Sequence, residues 1–367
     1  MKYLITGGGT GGHIYPALAI ANEIRDRYRD AEILYVGTNK GLESELVPRE
    51  GFDFKTIRVK GLPRKLNLET FKTIKELALG LKDAYRIIKD FKPDVVIGTG
   101  GYVCGPVVYM ASKKGIPTII HEQNAFPGIT NRILSRYVDR VLVTFEESKK
   151  YFKRQDNVIL TGNPIRKSIK NVDKDKAYFN LGVNPNIPFI LSFGGSGGQN
   201  KLNDAMLYVI EKYADNSHIQ IFHITGKRFY EDFNRKINAK GLNLKENIRV
   251  LPYLYNMPEA LNIADLVVTS AGAITLAEIS AVGVPSILIP KSYTAENHQE
   301  YNARVFADNG ASCLILERDL TGELLYERIN ELITDRKKLV DMSKKAKMLG
   351  NANATEKIVD IIYELIC

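Results

Sequence analysis

Two stretches of this chain place glycine between a strand and a helical pattern: Thr6-Gly7-Gly8-Gly9-Thr10-Gly11-Gly12-His13 and Gly194-Gly195-Ser196-Gly197-Gly198. At such a turn backbone N–H groups can reach a phosphate, and the helix dipole favours its charge. A third stretch, Ser270-Ala271-Gly272-Ala273-Ile274-Thr275-Leu276-Ala277-Glu278, follows an apolar run and opens a helix. Its small residues give a phosphate access to free N–H groups, and Glu278, about one turn in, can accept two hydrogen bonds from a ribose diol. His121-Glu122-Gln123-Asn124 sets four polar groups at the end of an apolar strand. Burying all four without a ligand would strand polar groups. His298-Gln299-Glu300-Tyr301-Asn302 begins a helix after a polar loop and offers amides and an imidazole with no evident core role.

Other chemistries fit less well. Gly7, Gly9 and Gly12 satisfy the dinucleotide pattern GxGxxG, but that site also wants an acid at the end of the second strand, which here ends Val36-Gly37-Thr38-Asn39. A kinase-type P-loop fails at Gly226-Lys227, which Arg228 follows and which has Ile221 where the first glycine belongs. The turn at Ser196 also fits a GxSxG nucleophile elbow, with Asp265 and His298 in triad order. That reading leaves the first glycine turn without a role. Asp173-Lys174-Asp175 matches a metal-binding carboxylate pair, yet it lies among lysines with no adjoining glycine loop. It reads as a solvated helix start, and no metal is assigned.

The elements that must position these groups alternate. Strands are expected at residues 2–5, 32–36, 94–97, 117–121 and 140–144, with helices at about 16–29, 69–91, 105–114, 128–137 and 145–153. The second half repeats the scheme with strands at 189–193, 219–224, 248–251, 266–269, 286–289 and 312–316, and a mostly helical tail from Leu320. Such alternation implies parallel sheets covered on both faces, with ligands at the carboxyl ends of strands. The fold class expected is α/β, with two similar halves expected to face a central cleft. The turn residues Thr161-Gly162-Asn163-Pro164 mark the crossing between residues 1–163 and 164–349, and a C-terminal helix at about 350–367 is expected to rejoin the first half.

At 367 residues two domains are the prior expectation. Cys104, Cys313 and Cys367 are scattered without metal or disulfide spacing, which reads as a reduced, cytoplasmic protein. No signal peptide or membrane-spanning run is visible. Net charge is +9, concentrated between Lys60 and Lys92, where nine Lys or Arg face four acids. Leu62, Arg64, Lys65, Leu66, Leu68, Phe71 and Lys72 mix apolar and basic groups there. One reading is a helix covering the sheet with a solvated face; the other is a patch lying on an anionic bilayer. Nucleic acid is not expected, because the basic residues sit among aliphatics rather than stacking aromatics.

Taken in order, the first glycine turn, Gly98 to Gly105 (GTGGYVCG), His121 to Asn124, Gly162-Asn163-Pro164-Ile165-Arg166 and Ser270 to Glu278 with His298-Gln299 resemble the MurG family over nearly the whole chain. These are UDP-N-acetylglucosamine transferases acting on undecaprenyl-pyrophosphoryl-N-acetylmuramyl pentapeptide in peptidoglycan synthesis. The resemblance implies the GT-B architecture of two Rossmann-like domains, the donor held mainly by the second. It implies an inverting, metal-independent transfer that forms a β-1,4 linkage at the cytoplasmic face of the bacterial cell membrane, with no cofactor. By position, Glu278 holds the ribose diol, and Tyr253, Leu254 and Met257 lie near the uracil. Thr10, Arg166, Ser196 and the N–H groups of Ala273, Ile274 and Thr275 surround the diphosphate. Asn124, Gln299 and Asn302 meet the sugar, with His298 beside them where some relatives have Gln. Gly11, Gly12, His13, Gly100, Gly101 and Tyr102 face the acceptor pyrophosphate. The family often reads GGSQGA where this chain has Gly194 to Gln199. An acceptor hydroxyl must lose a proton as it attacks the anomeric carbon, and His13 is the first candidate base, Glu122 the second. An epimerase of the same fold and a noncatalytic nucleotide-sugar or lipid binder remain as alternatives.

Overall fold

Two parallel sheets organise the chain. The computed structural model describes residues 1–61, 68–195 and 197–367, without the side chains of residues 68–72, 74 and 295. By contacts the chain divides into two units, Met1–Ile165 with Asn353–Cys367, and Arg166–Ala352.

The sheet of unit 1 contains β1 (Lys2–Thr6), β2 (Glu32–Gly37), β3 (Asp53–Thr56), β4 (Val95–Gly98), β5 (Thr118–Glu122), β6 (Arg140–Val143) and β7 (Val158–Leu160). Its order is β3-β2-β1-β4-β5-β6-β7, all parallel. The helices between are α1 (Gly11–Arg27), α2 (Glu43–Arg49), α3 (Leu68–Phe91), α4 (Cys104–Lys113) and α5 (Ile129–Leu134). Chain direction across the sheet reverses between β1 and β4, the switch point where open α/β sheets bind ligands. Leu4, Val96 and Ile120 point to one apolar layer, and Ile5, Ile97 and Ile119 to the other, so both faces of the sheet are buried.

Unit 2 repeats the order with α6 (Lys174–Leu181), β8 (Phe189–Phe193), α7 (Asn200–Tyr213), β9 (Gln220–Ile224), α8 (Tyr230–Ala239), β10 (Ile248–Leu251), α9 (Met257–Ile263), β11 (Leu266–Thr269), α10 (Ala273–Val282), β12 (Ser286–Leu288), α11 (His298–Asp308), β13 (Ser312–Leu314), α12 (Gly322–Thr334) and α13 (Arg336–Leu349). The parallel sheet runs β10-β9-β8-β11-β12-β13, with its switch point between β8 and β11.

The last helix, α14 (Ala354–Ile366), returns to unit 1. Its Ile358, Val359 and Ile362 are buried in the same cluster as Ile14, Leu18 and Ile24 of α1. Tyr363 stacks on Tyr28 at 5.6 Å, and Lys357 Nζ donates to the Leu160 carbonyl at 2.7 Å. Arg27 joins the two helices by bonding both Glu23 of α1 and Asp360 of α14.

Several elements differ from expectation. Helix α1 starts at Gly11 rather than 16, so Gly11, Gly12 and His13 form its first turn and Pro16 lies inside it. Proline there removes the bond that Gly12's carbonyl would have accepted. The short edge strands β3 and β7, and α2, were not expected; β3 is mostly exposed and polar and gives no apolar run. The helix expected at 145–153 is a 3-10 turn, Glu146–Tyr151, and α5 is shorter than expected. Among the described residues no helix is long and apolar enough to cross a membrane.

Ile358 has no exposed surface. Ile358→Ala will lower the stability of unit 1 by about 3 kcal/mol, the usual cost of such a cavity. Urea denaturation followed by far-ultraviolet circular dichroism checks this as a lower midpoint.

Candidate active site

In unit 1 the turn after β1 is held against the turn after β4, with Gly8 N–H donating to the Gly100 carbonyl at 3.4 Å. His13, partly exposed in the first turn of α1, bonds through Nδ1 to the Gly8 carbonyl at 3.0 Å, with Thr10 Oγ1 at 3.4 Å. A carbonyl can only accept, so Nδ1 carries the proton and Nε2 keeps a lone pair. Burial holds the imidazole below its ordinary pKa, while the charges of Glu122 and Glu43 and the Gly8 bond pull the other way. The ring lies against the backbone of Gly100 and Gly101, whose φ angles are +104° and +82°. A Cβ on Gly100 would stand 2.8 Å from His13 Cδ2, and one on Gly101 would stand 2.2 Å from the Gly8 carbonyl oxygen. Only glycine permits both the angle and the approach. Tyr102 lies over Gly9, its Cε1 3.2 Å from the Cβ position there.

The cluster at 121–124 differs from expectation. His121, Glu122 and Gln123 are buried, and protein partners, not a ligand, satisfy most of their polar atoms. His121 Nε2 donates to the Gly162 carbonyl at 2.9 Å, its Nδ1 accepts from Gln123, and burial pushes its pKa down to about 4. Glu122 accepts four bonds: from Asn124 N and Nδ2 at 3.0 and 3.1 Å, Gly128 N at 3.1 Å and Asn131 Nδ2 at 2.8 Å. Those donors fill the lone pairs that a general base would need. Asn124 alone of the four is half exposed.

Three supporting residues escaped the sequence reading. Glu43 has no exposed surface; its carboxylate accepts from Thr38 N at 3.1 Å, Thr38 Oγ1 at 2.7 Å and Gly9 N at 3.3 Å. Its side-chain atoms lie 2.7, 2.6 and 2.2 Å from the Cβ positions of Gly8, Gly37 and Gly41, so those glycines make room for it. It stands four residues beyond Asn39, past the end of the second strand. Thr99 Oγ1 donates to the His13 carbonyl at 2.8 Å, and Asn131 Nδ2 to the His121 carbonyl at 3.1 Å.

In unit 2 the turns after β8, β11 and β12 lie on adjacent strands at the carboxyl edge. Gly195 and Gly198 have φ of +74° and +70°, and a Cβ on Gly198 would meet the Thr225 carbonyl oxygen at 2.3 Å. Gly272 is extended, and α10 begins at Ala273, so the N–H groups of Ala273, Ile274 and Thr275 lie in a first turn without intrahelical acceptors. Glu278 is buried in α10, and Arg166 reaches its Oε1 with Nε at 3.0 Å and Nη2 at 2.7 Å. Burial pushes the Glu278 carboxyl above its ordinary pKa against the pull of Arg166. The residues expected at the ribose and at the diphosphate are thus paired with each other.

Tyr253 is exposed after β10, its ring 4.9 Å from that of Tyr255 and 5.6 Å from Lys227 Nζ. Leu254 is half-buried beside it, and Met257 opens α9. His298 opens α11 after Glu296 and Asn297, both at positive φ. Gln299 Oε1 accepts from Lys291 N at 3.0 Å. Asn302, expected at the sugar, is fully buried and donates to the Ala271 carbonyl at 3.3 Å, holding the turn from below. Glu317, also missed, is nearly buried and accepts from Gln199 Nε2 at 2.9 Å, Ser292 N at 3.0 Å and Ser292 Oγ.

Leu62, Arg64, Lys65, Leu66 and Ser196 lie outside the described residues, as do the side chains of Leu68, Phe71 and Lys72 in α3. Asp265 lies at the amino end of β11, the opposite edge from the glycine turn, and accepts from Phe189 N at 2.8 Å, so it cannot orient His298 as a triad would require. Asp173 caps α6 by accepting from Lys176 N at 3.2 Å.

Known proteins resemble this chain over its whole length. The family model described as the glycosyltransferase family 28 N-terminal domain matches residues 3–143, and that for the C-terminal domain of the same family matches residues 189–361. A protein of Thermoanaerobacter pseudethanolicus is 53% identical over 365 residues, covering 100% of both chains, and one of Desulforamulus reducens is 50% identical over 368 residues, covering 100% of this chain and 99% of that one. Both are named UDP-N-acetylglucosamine–N-acetylmuramyl-(pentapeptide) pyrophosphoryl-undecaprenol N-acetylglucosamine transferase. The crystal structure of Acinetobacter baumannii MurG matches with a TM-score of 0.79 and 30% identity, covering 99% of this chain and all of that one. A UDP-GlcNAc 2-epimerase from Neisseria meningitidis shares the fold at a TM-score of 0.70 but only 15% identity, covering 99% of this chain and 100% of that one. The chain therefore belongs to glycosyltransferase family 28, in its MurG group, and carries the GT-B pair of Rossmann-like parallel-sheet domains.

Proposed function

We propose that this protein moves N-acetylglucosamine from UDP-N-acetylglucosamine to the 4-hydroxyl of lipid-linked N-acetylmuramyl pentapeptide, inverting the anomeric carbon without a metal. The observation that carries the reading is end-to-end identity of 50 to 53% with relatives that bear this name. In unit 2 the first turn of α10 and the turn at 194–199 present N–H groups to the donor diphosphate, with Arg166 released from Glu278 to join them as Glu278 takes the ribose diol. Tyr253, Leu254 and Met257 flank the uracil, while Asn124, His298 and Gln299 serve the sugar. In unit 1 the turn of Gly11, Gly12 and His13, with Gly100, Gly101 and Tyr102, receives the acceptor pyrophosphate.

His13 is the base. Its Nδ1–H is committed to the Gly8 carbonyl, which leaves Nε2 to take the hydroxyl proton. Glu122, with four donors on its oxygens, positions Asn124 and the start of α5 instead. UDP release from UDP-N-acetylglucosamine that depends on a short-chain lipid-linked muramyl pentapeptide, with a disaccharide product, supports the reading. UDP binding without release, or formation of the manno isomer, defeats it.

His13→Ala will lower turnover at least about a hundredfold, the usual worth of a general base, with UDP binding retained. A base works unprotonated, so the rate falls as pH drops through the imidazole pKa. Because burial holds that pKa below the ordinary 6.5, the acid limb of kcat/KM lies below pH 6.5 in the native enzyme and is absent from His13→Ala. Near-native turnover in the variant would remove His13 from the mechanism.

A lipid-linked acceptor supports a position at the cell membrane, and a UDP-sugar donor supports its cytoplasmic face. We assign its peripheral attachment to Leu62, Arg64, Lys65, Leu66, Leu68, Phe71 and Lys72, whose mixture of aliphatic and basic groups suits an anionic headgroup layer. Each basic residue near such a surface contributes about 1 kcal/mol, so reversing Lys65 and Lys72 to Glu cuts sedimentation with phosphatidylglycerol vesicles at least about tenfold. Unchanged sedimentation would place the contact elsewhere.

A further inference from the structure

A cation in unit 2 has no structural counter-charge in contact with it. Lys291 follows β12, whose neighbour β11 lies beside β8, so its loop adjoins both the glycine turn at 194–198 and the turn before α10. Lys291 Nζ donates to the Gly198 carbonyl at 2.8 Å and lies 3.9 Å from the Cβ position of Gly195, which Ser270 Oγ approaches at 3.3 Å from its own loop. An ammonium has three protons, and Gly198 takes one. Among the described residues Lys291 forms no ion pair. Glu317 is the charge that supports it, but that carboxylate is already bonded to Gln199 and Ser292. Burial pulls the Lys291 pKa below the ordinary lysine value, so the site holds a partly dehydrated cation that an anion would stabilise. A lysine used as a point charge on a glycine turn is a common way to hold phosphate.

We propose that Lys291 is a diphosphate-binding residue, donating from Nζ to a β-phosphate oxygen of a nucleoside-diphosphate sugar held on the turn at 194–198 and the first turn of α10. The proposal rests on the donor assignment above. In the transfer, the bond from the anomeric carbon to the β-phosphate oxygen breaks and its electron pair stays with UDP. The acceptor oxygen bonds the same carbon, and the hydroxyl proton passes to His13 Nε2. Lys291 offsets the charge that UDP gains, as a preorganised cation does for a leaving group.

Calorimetry on the full chain with UDP and with uridine tests this, using Lys291→Met, Lys291→Gln and Lys291→Arg. Glutamine can keep the bond to Gly198 without the charge, and arginine keeps the charge. A charge-assisted bond predicts that UDP affinity falls about ten- to a hundredfold in the Met and Gln variants, with uridine affinity unchanged and most of the loss restored by Arg. UDP affinity within about twofold of native in Lys291→Gln, or an equal loss for uridine, overturns the proposal. Native protein that binds UDP beside unaffected variants leaves the donor assignment standing; native protein that binds no UDP removes both.

Discussion

A carboxylate removed from water must be met by hydrogen-bond donors, and each unit uses one to fix its glycine turn. In unit 1 Glu43 reaches from α2 to Thr38 and to Gly9 N–H. In unit 2 Glu317 ties Gln199, at the end of the second turn, to Ser292 in the loop after β12. Glycine turns are loose by themselves, because glycine loses more backbone freedom on ordering than any other residue. The two carboxylates tie those turns to neighbouring loops.

From that constraint the chemistry of unit 1 follows. The pinned turn sets the Gly8 carbonyl, the carbonyl sets the proton on Nδ1, and the proton leaves Nε2 as the basic nitrogen of His13. Thr99 holds the same helix start from the β4 side through the His13 carbonyl. Unit 2 has no comparable imidazole on its glycine turn. It gathers instead the first turn of α10, Lys291 and Arg166, groups that suit a stationary anion. The two units thus share one topology and differ in a few side chains at the strand ends.

The sequence was informative where residues repeat a simple physical pattern. The central strands are uninterrupted aliphatic runs, and β8 and β10 fall at residues 189–193 and 248–251, as the run lengths predict. Edge elements were illegible because their stability comes from a neighbour: β3 has the pattern of an exposed loop and becomes a strand only by pairing with β2. The start of α1 was misplaced because Pro16 resembles a first helical residue, while the true first turn is made of glycine. His13 and Glu278 lie where the sequence sets them, in helices that open at glycine-rich turns. Glu43, Thr99 and Glu317 were not legible, since a buried polar side chain is recognised by its partners, and those lie up to 118 residues away in the chain. For the same reason the cluster at 121–124 was read as awaiting a ligand when Asn131, Gly128 and Gly162 already serve it.

Helix α14 covers the outer face of α1 with Ile358, Val359 and Ile362, yet it follows the whole of unit 2 in sequence. During synthesis the sheet of unit 1 leaves the ribosome first, and the apolar stripe on α1 stays uncovered until more than three hundred residues later in the 367-residue chain. Unit 2 has all its elements before unit 1 does. The order of completion is therefore the reverse of the order of translation, and a chain halted before residue 354 exposes α1 as an adhesive surface for chaperones or for other nascent copies.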